Sequence, residues 1–527
     1  MVGYDQGSSQ NGIINFSGNY GGDAFADYLL GLPASATGGL GSLGNYGGVA
    51  KYSLAEQIFW YVQDDWRISK KLTVNLGVRY EYQSPYRGRL ANFDLGRGWQ
   101  LLAGRPDYYI PGVGLFQNTG AILLPNPPVR ADQNNYSPRF GIAYRMDTNT
   151  TLRAGFGIFY AFSGGGAAVN NMQSTPPFFV FANPVSSPTT PQIKMSDLFP
   201  GPDKSTTAVS SNQDLSQRTG YLYNYNLNIQ RQLRPGLLLE AGYMGNTGQK
   251  QYGSVLLNQP RLPQNKDNPE SYLTRIPYPS LPPGFSQNTN YQWSNYNAGY
   301  AKVEQRLWHD LSYTVAYTFS KLMDSGAAGM NMYNRRPERE PAPNNVPHNF
   351  IASYVWQLPV GKGKAMNIEN KVLDGFIGGW EMSGITNFIS GMNFTIVAAN
   401  DPANVLAGEE RANATGVAIQ KLDPRTNGLL GFVTAAYSTP PRGTFGNLGR
   451  NTQPGFGINN WDISFSKNFH IPKMGEASRL QIRAEFFNFF NHTQFNNPAA
   501  TVNVSTFGLV NSARDPRILQ LGGKLYW

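Results

Sequence analysis

Four histidines, His309, His348, His470 and His492, are the residues best suited to metal binding or acid–base work. They stand far apart, with no HExxH and no paired spacing, so nothing puts two imidazoles on one helix face. The chain has no cysteine, which removes disulfides, thiolate catalysis and Cys–metal sites. VGKGK at 360–364 resembles a phosphate-binding loop. It lacks the GxxxxGK spacing that ends in Ser or Thr, and reads better as a basic connection between strands. NTT at 149–151 and NAT at 413–415 match the glycosylation sequon and read as chance matches. RRPERE at 335–340 is a mixed charge run. Its plain reading is a solvated, self-paired loop; its sharp reading is ligand contact. No nucleophile, base and orienting group can be assembled, so the chain reads as a non-enzyme without a cofactor.

What remains is a set of ionic residues at alternating positions: Arg79, Glu81, Arg153, Arg483 and Glu485. Each sits between apolar neighbours. In LTVNLGVRYEY, Leu72, Val74, Leu76, Val78, Tyr80 and Tyr82 point one way. Thr73, Asn75, Gly77, Arg79 and Glu81 point the other. A period of two is the mark of a β-strand, because successive side chains leave opposite faces of the pleat. The functional reading of the five is contact with a ligand in a wet interior. The bland reading is that they solvate that interior and pair across strands.

The strand at 72 has a partner before it. EQIFWYVQDDWRI places Ile58, Trp60, Val62, Trp66 and Ile68 on one face, with Asp64 the exception. Ser69–Lys71 then suffices for a tight hairpin. The unit recurs around DTNT at 147–150, RPG at 234–236, HD at 309–310 and the segment 470–478. Another pair, HNFIASYVWQL and GWEMSGITNFI, has a longer Gly- and Lys-rich connection. Between hairpins lie long connections rich in Gly, Pro, Asn and Ser, at 83–135, 161–220, 245–294, 321–346 and 390–457. Short turns alternating with long loops, on strands of roughly 10–12 residues, form the pattern of a transmembrane β-barrel with short periplasmic turns and long extracellular loops. A soluble sandwich uses strands nearer 5–6 residues and does not sort its loops by length.

Composition agrees. Charged residues make up 14% and aromatic residues 13%, with 58 Gly and 36 Pro, a balance that leans to β-structure and loops. No apolar run is long enough for a membrane helix, which says nothing against strands. The net charge is +10, but Lys and Arg are scattered, which argues against nucleic-acid binding. The start, MVGYDQGSSQNG, has neither the basic nor the apolar region of a signal peptide. The end, RILQLGGKLYW, puts Leu519, Leu521, Leu525 and Trp527 on one face, as in a barrel's closing strand.

FADYLLGLP (25–33), YVQDDWRISKKLTVNLGVRYE (61–81), SPRFGIAYR (137–145), NLNIQRQL (226–233), YTFSKLMD (317–324) and RAEFFNFFNHTQF (483–495) resemble the barrel region of TonB-dependent outer-membrane receptors. The nearest group is the Oar-like receptors that carry a carboxypeptidase-regulatory-like domain. The resemblance runs from about Phe25 to the end. It implies a barrel of about 22 strands with a plug inside, a TonB box, and energised import of a scarce ligand such as a siderophore, oligosaccharide or peptide. Partners would be outer-membrane lipid, the TonB–ExbB–ExbD system through the plug and TonB box, and the barrel-assembly machinery through the strand ending at Trp527. The five ionic residues would then meet ligand or plug.

The alternation test finds about 13–14 strands, and the partial barrel is expected to hold about 13–16. Residues 1–527 are therefore expected to be one barrel region, with an irregular start and first strand over 1–50 and hairpins over 51–527. Plug, regulatory-like domain and signal peptide are not recognisable, so the expected fold is all-β and antiparallel, part of a larger barrel in the bacterial outer membrane. Two alternatives stay open. One is a complete passive porin or adhesion barrel. The other is a soluble extracellular glycan-binding β-protein, prompted by NYQWSNY at 290–296.

Overall fold

The computed structural model describes residues 13–41, 53–85, 129–161, 193–195, 211–326 apart from 280 and 282, 329–471 and 478–527. It also gives strand backbone at 2–4, 87–88, 91–94, 98–102, 108–110, 114–116, 123–124 and 179–182. Much of the opening stretch and of the connections 83–135 and 161–220 lies outside the described residues.

Thirteen long strands form one antiparallel sheet in sequence order. They are β1 (Gln57–Arg67), β2 (Leu72–Gln83), β3 (Tyr136–Arg145), β4 (Thr150–Ala161), β5 (Gly220–Arg234), β6 (Leu237–Leu256) and β7 (Ser286–Trp308). The remainder are β8 (Leu311–Asp324), β9 (His348–Gln357), β10 (Trp380–Ile389), β11 (Ile458–His470), β12 (Arg479–Phe487) and β13 (Ile518–Tyr526). Two short strands, Ser211–Gln213 and Glu340–Pro341, attach at its margin. The sheet is open: β1 and β13 are its two edges and do not pair with each other.

Every predicted strand pair is present. Residues 472–477 of the last turn lie outside the described residues, and in three of the described turns the chemistry is local. In the first, Arg67 pairs with Thr73, and the Ser69 hydroxyl accepts from the Leu72 amide at 3.1 Å. In the HD turn, His309 and Asp310 both have positive φ, 50° and 62°, as in the I′ turn whose twist matches the strands it joins. In DTNT, the Asp147 carboxylate accepts from the Asn149 amide at 2.7 Å. That bond holds the Asp147 carboxyl below its ordinary pKa.

Two expectations need correction. The strands are not uniformly 10–12 residues: β6 has 20 and β7 has 23, so the connection expected at 245–294 shrinks to 257–285. GYMGNTG looked like the start of a loop. In fact tyrosine rings lie over two of these glycines: an added Cβ at Gly242 would meet the Tyr300 ring at 2.8 Å, and one at Gly245 the Tyr225 ring at 2.5 Å. The ribbon continues because the rings cover what the glycines leave bare.

The second correction concerns 390–457, which is not an open loop. Ile396, Ala412, Phe432, Ala436, Tyr437 and Leu448, joined by Val502 from the connection 488–517, form a buried cluster. Phe432 stands edge-on to Tyr437 and Phe507, with ring centroids 5.4 and 5.3 Å apart. Burial pushes the Tyr437 phenol up to about 12. Such a cluster stabilises loops that would otherwise sample many conformations.

Among the described residues, three short α-helices lie off the sheet. In α1 (Ala24–Leu30) the Asp23 carboxylate caps the Phe25 and Ala26 amides. This helix falls within the stretch expected to be irregular. The others are α2 (Tyr272–Arg275) and α3 (Lys371–Ile377). α3 occupies the Gly- and Lys-rich connection between β9 and β10.

Candidate functional site

Cross-strand partners share a face, so the register carries face assignment across the whole sheet. Arg79 pairs with Ser137, Arg153 with Ala143 and Asn228, and Glu485 with Ser464. Followed strand by strand, Arg79, Glu81, Arg153, Arg483 and Glu485 all fall on one face. With them are Asn75, Arg139, Asn226, Glu240, Lys302, Glu304 and Asp462. The opposite face carries Trp60, Val78, Phe140, Ile158, Tyr243, Val315, Phe388, Phe465 and Leu521. The opening alternation thus extends over 13 strands.

The five ionic residues share this face without forming one cluster. Arg79 pairs with Glu81, two residues on, and its guanidinium lies 4.7 Å from the Phe59 ring centroid. Arg153 donates to the Gln230 side chain at 2.8 Å. Arg483 pairs with Glu485 at 3.2 Å. The same two-residue spacing recurs in β7, where Glu304 bridges Lys302 at 3.3 Å and Arg306 at 3.1 Å. These groups are partly exposed, and such pairs contribute about 0–1 kcal/mol each. They fix charge balance on the face more than stability.

A cavity of about 540 Å³ opens on this face and runs across the strands, from beside the 309–310 turn on β7 and β8 to the far end of β12. Three carboxylates, Glu304, Asp462 and Glu485, line it beside Ser353, Ile385 and Phe487. Glu485 is the one residue shared between this cavity and the expected set. Glu304 and Asp462 were missed because no single strand shows that six strands line one cavity.

At the long-loop end the charges are buried instead. Arg411 and Glu338 form an ion pair in which both side chains are 2% exposed. Arg411 also donates to the Pro337 carbonyl at 3.0 Å, and Glu338 accepts from the Met330 amide at 3.0 Å. Arg450 pairs with Asp324 at the end of β8, tying the loop cluster to the sheet. RRPERE is therefore not self-paired. Glu338 serves Arg411, Arg335 lies 4.3 Å from the Tyr291 ring centroid, and Arg339 lies 5.0 Å from that of Trp293. Two aromatics of NYQWSNY are thus covered by arginines.

Next to this pair Glu410 is almost fully buried. One of its oxygens accepts from the Ala403 amide at 2.9 Å. Desolvation first, and then the neighbouring Asp401 carboxylate, push its pKa up to about 8. Asp401 in turn accepts from the Val405 amide at 2.9 Å and the Tyr272 hydroxyl at 3.2 Å, which binds this loop to α2.

A meander of long antiparallel strands with one apolar face, one polar face, and short and long connections at opposite ends defines the outer-membrane β-barrel class of protein. The chain belongs to the outer membrane beta barrel domain family, whose model matches residues 2–520. Its place is the bacterial outer membrane, so the alternative of a soluble protein does not hold. No curated protein matches the chain. Among solved structures it is similar to the outer membrane transporter YddB from Escherichia coli. There the identity is 10%, the TM-score 0.44, and coverage 93% of this chain and 50% of that one. It is similar also to the ferric-catecholate import receptor Fiu from K12 E. coli, with 12% identity, TM-score 0.42, and 93% and 50% coverage. A third is the unliganded ferric citrate transporter FecA, with 10% identity, TM-score 0.41, and 93% and 46% coverage. The chain spans about half the length of these structures.

Proposed function

We propose that the chain is the barrel part of a TonB-dependent receptor of the Oar-like type, importing a scarce ligand, without enzymatic activity. The ligand class is open among siderophores, oligosaccharides and peptides. The sequence motifs carry the receptor reading, and the parity of the sheet supports a barrel with further strands. In a 13-stranded meander the first and last strands run in the same direction. Direct closure of β1 on β13 would make a parallel pair in an otherwise antiparallel barrel. An odd number of further strands gives both edges antiparallel partners. A total of about 22 strands, as in large outer-membrane transporters, satisfies this; a passive barrel of 14 or 16 also satisfies the parity. The sequence motifs favour the larger assembly.

In this reading the apolar face meets lipid and the polar face lines the lumen. Arg79, Glu81, Arg153, Arg483 and Glu485 then meet plug or ligand, and the Glu304–Asp462–Glu485 cavity is a recess in that lining. The TonB–ExbB–ExbD system acts through plug and TonB box, and β13, with Trp527 after it, presents the signal to the barrel-assembly machinery. Planar-bilayer recording on the complete gene product separates the two barrel readings. A receptor with a filled lumen gives no steady conductance. Stable open channels in the intact protein would establish the passive porin instead.

A further inference from the structure

Lys467 interrupts the apolar face. It lies between Phe465 and Phe469, and its register partners are Trp380 and Ile482. Yet it is buried, and its ammonium donates to the carbonyls of Gly375 at 2.6 Å, Gly378 at 2.5 Å and Asp374 at 3.3 Å. These carbonyls lie in the last turn and cap of α3, where the negative end of the helix dipole attracts a cation; that of Asp374 also accepts from the Gly378 amide. The contact fixes the side on which α3 sits. Because Lys467 leaves the sheet on the apolar face, α3 lies against the outer flank of the sheet, at the short-turn end, and not beneath the polar face. Trp380, on the same face, adds a bond from its indole N–H to the Phe376 carbonyl at 2.9 Å.

The rest of α3 points away from the protein. Val372, Leu373, Phe376 and Ile377 occupy one side of the helix at i, i+1, i+4 and i+5 spacing. Val372 and Phe376 are each 71% exposed. The helix is held at both ends, since the Asn370 side chain caps the Val372 and Leu373 amides at 3.0 and 3.1 Å. Lys362 and Lys371 are exposed beside it, and Lys364 is anchored to Asp310 in the neighbouring turn.

We propose that α3 is an interfacial helix that inserts Val372, Leu373, Phe376 and Ile377 into the phospholipid of the periplasmic leaflet, with Lys362 and Lys371 at the headgroup phosphates. The argument is continuity: the four side chains extend the apolar face of the sheet, through Trp380, to the depth where amphipathic helices lie. The inference rests on the lipid-facing assignment of that face and adds an element outside the barrel wall.

These 527 residues contain no cysteine, so once any cysteine elsewhere in the complete protein is replaced by serine, labelling is site-specific. Phe376→Cys, Val315→Cys on the apolar face and Thr314→Cys on the polar face are each made in the complete protein. Each is labelled with an environment-sensitive fluorophore and folded into phosphatidylethanolamine–phosphatidylglycerol vesicles. The label at 376 should emit as in lipid, and be quenched more by headgroup-proximal than by deep spin-labelled lipid, since such helices sit about 5–10 Å into the boundary. Water-like emission at 376 with lipid-like emission at 315 overturns the helix proposal alone. Water-like emission at both overturns the face assignment as well.

Discussion

Arg411 and Glu338 show how much a buried charge depends on its partner. Both side chains are 2% exposed, and each is also bonded to backbone. Arg411→Met would leave the Glu338 carboxylate desolvated with one amide donor. Breaking a buried pair from one side costs about 3–5 kcal/mol. The variant should lose the loop cluster, read as increased proteolysis of residues 390–457 with the barrel's heat-modifiable mobility retained. The double variant Arg411→Met with Glu338→Gln should recover part of the loss, because no lone charge remains; a double variant as weak as the single would refute the pairing. At the opposite face, Val78 packs beside Val62 and Pro138, and Thr73 beside Ala143 on the polar face. Val78→Arg puts a guanidinium on the lipid side, at a cost of about 2–4 kcal/mol near the midplane. It should impair assembly of the complete protein into the outer membrane, and Thr73→Arg should be tolerated. Equal yields from the two would remove the lipid-facing assignment.

At the scale of elements, the loop domain carries a pH dependence with a definite sign. Glu410 holds its proton up to about pH 8 when folded, whereas in the unfolded chain a glutamate releases it near 4.3. Between those values the folded form binds more protons, so stability falls as pH rises. The stabilisation is present in full below the unfolded pKa and is lost progressively up to about 8. The loop joined through Asp401 to Tyr272 should exchange its amides faster at pH 8 than at pH 5, beyond the intrinsic pH effect on exchange. Glu410→Gln, which stays neutral, should flatten the excess. A Glu410→Gln protein with the same pH response would place the titration elsewhere.

For the whole molecule, edge direction is the organising fact. β1 exposes every residue along its length and β13 nearly every one, and unpaired edges of this length invite further pairing. A second copy in the same membrane orientation offers strands that run in the same direction, so it supplies only parallel partners. Cross-linking should join β1 and β13 each to a strand running the other way. A Gln63→Cys and Gln520→Cys pair should therefore give no direct disulfide in the assembled complete protein. Efficient formation of that disulfide would show the 13 strands closing on themselves.

The alternation in residues 57–83 determined two strands, their faces and the turn at Ser69–Lys71, because a period of two and a three-residue turn are local properties. The same local logic reached β3, β4, β11 and β12, and placed the five ionic residues on the polar side of their strands. It stopped at GYMGNTG, where glycine reads as loop until the tyrosines of neighbouring strands cover it. It could not find Glu304 and Asp462 beside Glu485, since a cavity is made by register across strands far apart in sequence. Nor could it see that Arg411 meets Glu338 across 73 residues, or that Lys467, a misfit on an apolar face, answers the carbonyls of a helix outside the sheet. Pattern along one strand is set by which side chains tolerate lipid or water. Partners across strands are set by how the chain returns, and only the tertiary structure decides that.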